Sequence, residues 1–278
     1  WFNNYWKRFN ILRILFLGDV VGISGCSKLT SSLLGEIKSK KLDFVIANGE
    51  NAADQGVGIT EEISNDLFSA GVDVITTGNH VWDQKETLEH IKNEKRLLRP
   101  YNMSDDLPGK GYEVFKSKNG YRIGVLNLMG NVFMKKCDNV FLKSKTFLNQ
   151  FKLKKDYDFL VVDFHGETTS EKMAMGFFFD GKATLVIGTH THVPTNDSRI
   201  LDGGTAYQTD AGMCGDYNSV IGMKKEISLN RFLKNSSDKN SPALGEATIC
   251  GAVIDANPDT GLAIKIESFI FGGSFKDK

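Results

Sequence analysis

Residues 11–22 read ILRILFLGDVVG, and the interpretation of that stretch decides the fold. Ile11 to Val21 is an apolar run behind Lys7 and Arg8, and Ile23-Ser24-Gly25-Cys26 resembles a lipoprotein cleavage box, so a secretory signal is one reading. The other is a first β-strand ending at Gly18-Asp19, preceded by a short N-terminal extension over residues 1–10 (WFNNYWKRFN). The strand is preferred because Asp19 falls inside the would-be apolar core. Cleavage before Cys26 would also discard Asp19, which the rest of the chain marks as a ligand. No other segment approaches the ~18 uninterrupted apolar residues of a membrane helix.

Outward from that strand the same pattern recurs. Leu42–Ala47 ends in Asn48-Gly49-Glu50-Asn51, Val72–Thr76 in Gly78-Asn79-His80, Phe159–Asp163 in Phe164-His165, and Thr184–Ile187 in Gly188-Thr189-His190-Thr191-His192. Helical signals lie between them. Leu29, Leu33, Leu34 and Ile37 form an apolar stripe within 26–40, Thr60 with Glu61 and Glu62 marks a helix start, and Asp83 with Glu86 reads as a capping box for a helix through Lys92. Tyr121–Leu126 is a further strand, and Thr248–Ile254 pairs with Leu262–Ile270 around a turn at 257–261. Strands alternating with helices, then a strand-rich second half, predict an α/β fold. Its expected form is a sandwich of two mixed β-sheets flanked by helices. The length suits a single domain over 11–278, with a small cap or lid placed within 213–246.

Composition narrows the function. Hydrophobic residues make up 41%, enough for a large core, and 34 basic side chains balance 34 acidic ones. Without a basic surplus, stable binding of duplex nucleic acid is not expected. A small anionic substrate needs only local positive charge, which a metal supplies. Cys26, Cys137, Cys214 and Cys250 form no CxxC pair, which argues for reduced thiols in a cytoplasmic protein. No GxSxG, P-loop or dinucleotide-binding GxGxxG is present, so serine hydrolase, NTPase and Rossmann readings fail.

In α/β sheets the carboxyl ends of the strands form the ligand-binding edge. Five such ends deliver Asp19, Glu50 with Asn51, Asn79 with His80, His165, and His190 with His192. Each has an ordinary reading alone: Asp19 and Asn79 as turn or cap residues, His165 as a satisfied core histidine. Jointly they favour a metal site. Imidazoles, carboxylates and an amide suit Fe, Mn, Zn or Co better than Ca²⁺ or Mg²⁺. Six or seven ligands exceed one tetrahedral Zn²⁺ and fit two ions about 3.5–4 Å apart.

The blocks GDVVG (18–22), ANGENA (47–52), GNHVWD (78–83), DFHGETTSEK (163–172) and GTHTHV (188–193) resemble the calcineurin-like metallophosphoesterases. With RPYN (99–102), NLMG (127–130), TDAGM (209–213) and SVIGM (219–223), the wording is similar to the bacterial YmdB-like family, from about Arg13 to Glu267. The resemblance implies a 2′,3′-cyclic-nucleotide phosphodiesterase in which a metal-bridging hydroxide attacks phosphorus. Two divalent metals per chain are implied, iron ahead of manganese. It further implies Asp19 and His192 on one metal, Asn79, His165 and His190 on the other, and Glu50 between them. Asn51 then lies near the metal-bound anion or the first metal, and His80 is the catalytic histidine. Gly166 departs from the family's usual small Ala. His80 has an independent claim: it adjoins a ligand, is not needed to complete either metal, and an imidazole can protonate a leaving oxygen near neutral pH.

Weaker candidates surround this set. Glu167 and Glu171 read as helix-start residues, with a role behind the ligands open to Glu167; His90 reads as a surface residue; Asp210 and Met213 shape either a pocket or a turn; Arg99 is either a phosphate contact or a loop arginine. Two alternatives to the diesterase stand: a phosphomonoesterase or nucleotidase, and a regulatory metal-binding protein with weak catalysis. The substrate-binding wall is not legible, and a homo-oligomer is left open.

Overall fold

In β1 (Leu12–Val21), Leu12, Ile14 and Phe16 join one hydrophobic cluster and Leu15 and Leu17 join another, so alternate residues face opposite ways. That period of two identifies the opening run as a strand buried on both faces. The cleavage-box residues 23–26 sit in the first turns of α1 (Gly22–Lys40). The structure is a computed structural model that describes residues 11–234 and 239–275; the N-terminal extension at 1–10 lies outside the described residues.

The chain continues through β2 (Phe44–Asn51), α2 (Glu61–Ser69), β3 (Val74–Thr76), α3 (Thr87–Asn93), β4 (Tyr112–Lys116), β5 (Arg122–Met129) and α4 (Val140–Gln150). Then come β6 (Phe159–His165), α5 (Thr169–Phe179), β7 (Leu185–Thr189), β8 (Arg199–Ile200), β9 (Ala206–Gln208), β10 (Met213–Asp216), α6 (Lys225–Phe232), β11 (Ala247–Ala256) and β12 (Ala263–Phe271). Two six-stranded sheets result, ordered β12-β11-β10-β1-β2-β3 and β4-β5-β6-β7-β9-β8. Both are mixed: β1, β2 and β3 run parallel, as do β5, β6, β7 and β9, while β11 pairs antiparallel with β12 and β4 with β5. The predicted sandwich is the observed fold.

Leu12, Ile14, Phe16, Phe44, Ile46 and Val74 of the first sheet meet Ile123, Val125, Phe159, Val161, Leu185 and Ile187 of the second in one buried cluster. On the outer face of the first sheet, Leu15, Leu17 and Val45 pack on Leu29, Leu33 and Ile37 of α1. On the outer face of the second, Leu160, Val162 and Val186 pack on Phe147 of α4 and Met175 and Phe179 of α5. Each buried leucine or phenylalanine contributes about 1.5–3 kcal/mol over its exposed state. The polar ends of the strands therefore have a rigid base.

The sequence reading is corrected at one point and met or left open at others. Asp83 does not cap a helix: α3 starts at Thr87, and the Asp83 carboxylate bonds a neighbouring imidazole instead. Within 213–246, where the cap is placed, residues 213–216 are a strand of the first sheet and 225–232 a helix, while 235–238 lie outside the described residues. All four cysteines are free. Among the described residues no helix is long and apolar enough to cross a membrane.

Candidate metal centre

β1 is where the two halves of the first sheet part. Its first six residues pair antiparallel with β11, Leu12 opposite Ala256, while Asp19 and Val20 pair parallel with β10. The register with β2 shifts on both sides of Asp19, a bulge that re-aims the side chain at the strand's end. Gly18 makes this crossing feasible, since a Cβ there would overlap the carbonyl of Gly212. Asp19 ends fully buried.

The other ligand candidates converge on the same point. Glu50 Oε1 lies 2.9 Å from His165 Nε2, Asn79 Oδ1 3.2 Å from the same nitrogen, and His190 Nδ1 3.1 Å from it. Asp19 Oδ1 lies 3.8 Å from His192 Nε2 and 3.9 Å from His165 Nδ1. Gly78 closes the cradle, because a Cβ at that position would collide with the His165 ring and the Glu50 carboxylate. All six predicted ligands are thus brought together. Asn51 is buried nearby, with its amide donating to Gly56 O.

The donor set fits a bound cation. Glu50, His165 and His190 each offer an atom within 4.8 Å of the others, a group able to hold a metal ion. Among the described residues the buried oxygens Asp19 Oδ1 and Asn51 Oδ1 have no hydrogen-bond partner. Leaving a buried carboxylate oxygen unsatisfied is costly unless something with positive charge meets it.

Hydrogen bonds behind the ligands set which nitrogen faces the centre. His192 Nδ1 donates to Ile221 O at 2.8 Å, which leaves Nε2 directed at Asp19. His165 Nδ1 lies 2.9 Å from Thr189 Oγ1, which donates to Asp163 at 2.7 Å. Asp163 also accepts from Thr76 and Asn48, and burial raises its pKa to about 6 despite these donors. His190 and His192 have φ of 100° and 65°, left-handed values that few non-glycine residues adopt. The strain is held by backbone donors: His190 N to Asp19 Oδ2 and Thr191 N to Asp210 Oδ2. Asp210 in turn forms a fully buried ion pair with Lys172 Nζ at 2.5 Å.

Charge in the cluster is shared unevenly. Burial lowers the basicity of His165, but Glu50 and Asp19 outweigh it and bring it up to about 9. Burial and the adjacent His165 depress His190 to about 3. Burial pushes Glu50 up, yet His165 overrides it and holds Glu50 down at about 2, while burial raises Asp19. The nearby carboxylates thus favour a proton on His165, which would have to leave before its Nε2 could hold an ion. Calorimetric titration of the metal-free protein with Mn²⁺ at pH 7 in buffers of different ionisation enthalpy should show net proton release, falling off as the pH rises past about 9.

His80 sits at the rim with its side chain 30% exposed. Its backbone N–H donates to Glu50 Oε2, and its Nδ1 lies 2.6 Å from Asp83 Oδ2. Glu167, whose role was open, places Oε2 3.1 Å from His190 Nε2. Glu171 stands in the first turn of α5, as expected, but its side chain is buried and accepts from the amides of Asn131 and Val132. Arg99 is no phosphate contact: it is buried and donates to the carbonyls of Pro100, Leu107 and Pro108. The His90 ring is only 9% exposed and meets Ser64 Oγ at 2.7 Å, so it is not a surface residue. The supports Asp163 and Lys172 escape the sequence reading. The available signal was a carboxylate inside an apolar strand and a lysine on a helix against the sheet.

The fold has close counterparts. A solved structure described as a novel phosphatase, from Mycoplasma pneumoniae, superposes with a TM-score of 0.87 at 37% identity over 95% of this chain and 94% of that one. A second, of a hypothetical protein from Thermus thermophilus, gives 0.86 at 37% identity over 94% and 99%. The class so defined is that of hydrolases acting on phosphoester bonds. The chain belongs to the YmdB-like family, which matches residues 15–269. One relative, the 2′,3′-cyclic-nucleotide 2′-phosphodiesterase of Bacillus subtilis (strain 168), is 44% identical over 260 residues, 93% of this chain and 97% of its own.

Proposed function

We propose that this protein hydrolyses 2′,3′-cyclic nucleotides at a centre of two divalent metal ions. The observation that carries the reading is the buried cluster at the strand ends, whose acceptor Asp19 Oδ1 lacks a donor among the described residues. The name of the Bacillus subtilis relative supplies the substrate class.

Asp19 and His192 would hold one ion, Asn79, His165 and His190 the other, with Glu50 between them and Asn51 alongside. Support comes from the spacing: Asn79, His190 and Glu50 gather on His165 Nε2, whereas His192 Nε2 approaches Asp19. The three imidazoles favour iron or manganese over magnesium. Such ions, when bound, acidify water and neutralise charge growing on a phosphoryl group. The chain's own contribution is positioning. Thr189 and Ile221 fix the ring orientations of His165 and His192. His80, steadied by Asp83 through Nδ1, has no partner on Nε2 among the described residues and is placed to donate a proton to the departing ribose oxygen.

The test is elemental analysis of the purified protein, coupled to hydrolysis of 2′,3′-cyclic AMP with and without added Mn²⁺. About two metals per chain and metal-dependent turnover are expected. Two metals without turnover would discard the cyclic-nucleotide reading. A protein that binds none under metal-replete conditions would discard the centre. The monoesterase reading draws on the phosphatase description of the Mycoplasma pneumoniae structure, and AMP in the same panel separates the two.

A further inference from the structure

The loop after β5 lies along the rim of the centre. Gly130 N donates to the carbonyl of His165 at 2.9 Å, and Asn131 N and Val132 N donate to Glu171 at 2.8 and 3.2 Å. Farther on, Lys135 Nζ donates to the carbonyl of Asn79 at 2.6 Å and lies 3.5 Å from Asp83, the partner of His80. The loop thus joins the backbones of two ligand candidates, His165 at the end of β6 in one sheet and Asn79 in the turn after β3 of the other. Met134 packs into the first sheet's outer core. Phe133, between these anchors, is 86% exposed and has φ of 61°. Three residues from Gly130, which is hydrogen-bonded to the His165 carbonyl, it lies within roughly 10 Å of Gly130 at about 3.5 Å per residue.

An aromatic ring turned to solvent on a loop tied at both ends gains nothing from burial in this chain, yet its backbone is held left-handed. We propose that Phe133 is the platform on which the substrate's nucleobase stacks, and so a specificity-determining residue for the reaction. This rests on the cyclic-nucleotide reading. The base lies one ribose away from the phosphorus, so a rim residue and not a floor residue must meet it. Base–aromatic stacking also tolerates any base, because every base has a π-face.

The experiment compares kcat/KM for 2′,3′-cyclic AMP and for methyl ribofuranoside 2′,3′-cyclic phosphate, which has no base, using the metal-loaded full chain. The wild-type enzyme should prefer the nucleotide. Phe133→Ala should shrink that preference roughly tenfold, mainly through KM, and Phe133→Trp should retain it. An equal loss on both substrates, an unchanged preference, or a change only in oligomeric state by light scattering would overturn the proposal. A wild-type enzyme active on the base-free ester and showing no preference would overturn it too. A wild-type enzyme inert to both diesters would instead sink the functional reading, and the platform with it.

Discussion

His80→Ala should lower kcat about a hundred- to ten-thousand-fold while metal content stays at the wild-type level. The two halves of this expectation come from different atoms. The His80 ring takes no part in the Glu50–His165–His190 group, and only its backbone N–H, which alanine keeps, reaches Glu50. Among the described residues the ring's hydrogen-bond partner is Asp83, at the rim, so its removal opens no void in a core and leaves the fold intact. Turnover of 2′,3′-cyclic AMP beside metal analysis of the same sample checks it. Undiminished turnover would remove His80 from the chemistry; a fall in metal content matching the fall in rate would make it a ligand support.

The second large effect lies behind the centre. Asp210→Ala strands the Lys172 ammonium, which is 1% exposed, and should cost about 3–5 kcal/mol of stability. It also removes the acceptor for Thr191 N and Gly212 N, the bonds that hold the left-handed turn carrying His190 and His192. Lys172→Met with Asp210→Leu removes both charges and should recover much of the stability. It cannot restore those backbone bonds, so turnover should stay low. Thermal melts and rates on the two variants separate the roles; a double variant with normal rates would show that the turn keeps its shape unaided.

The sequence made the strands legible wherever a strand is buried on both faces, because an unbroken apolar run ending in a polar residue is conspicuous. The candidate ligand set was legible for the same reason: Asp19, Glu50, Asn79, His165, His190 and His192 each follow such a run. The short strand β10, Met-Cys-Gly-Asp, has no pattern of its own and is a strand only because β1 and β11 flank it. β4 is largely half-buried and α4 has only three buried residues, Val140, Ser144 and Phe147, too sparse a stripe to stand out. Asp83 with Glu86 has the spacing of a cap, but the His80 ring competes for that carboxylate and wins. Lys172 on α5 looks like a solvated charge until Asp210, 38 residues later, is placed beside it. Pairings of that kind belong to the tertiary fold and leave no local trace.

The fork in β1 also constrains how the molecule comes into being. Leu12 meets Ala256, and Asp19 N–H is satisfied by Gly212 O, so the first candidate ligand is bracketed by segments some two hundred residues downstream. During vectorial synthesis β1 can find β2 early, but its other edge stays open until β10 and β11 have left the ribosome. A nascent chain halted before residue 212 therefore has a hydrophobic strand edge and no completed centre. Such a chain should be a substrate for chaperones, and its candidate centre can close only after β10 and β11 have been made.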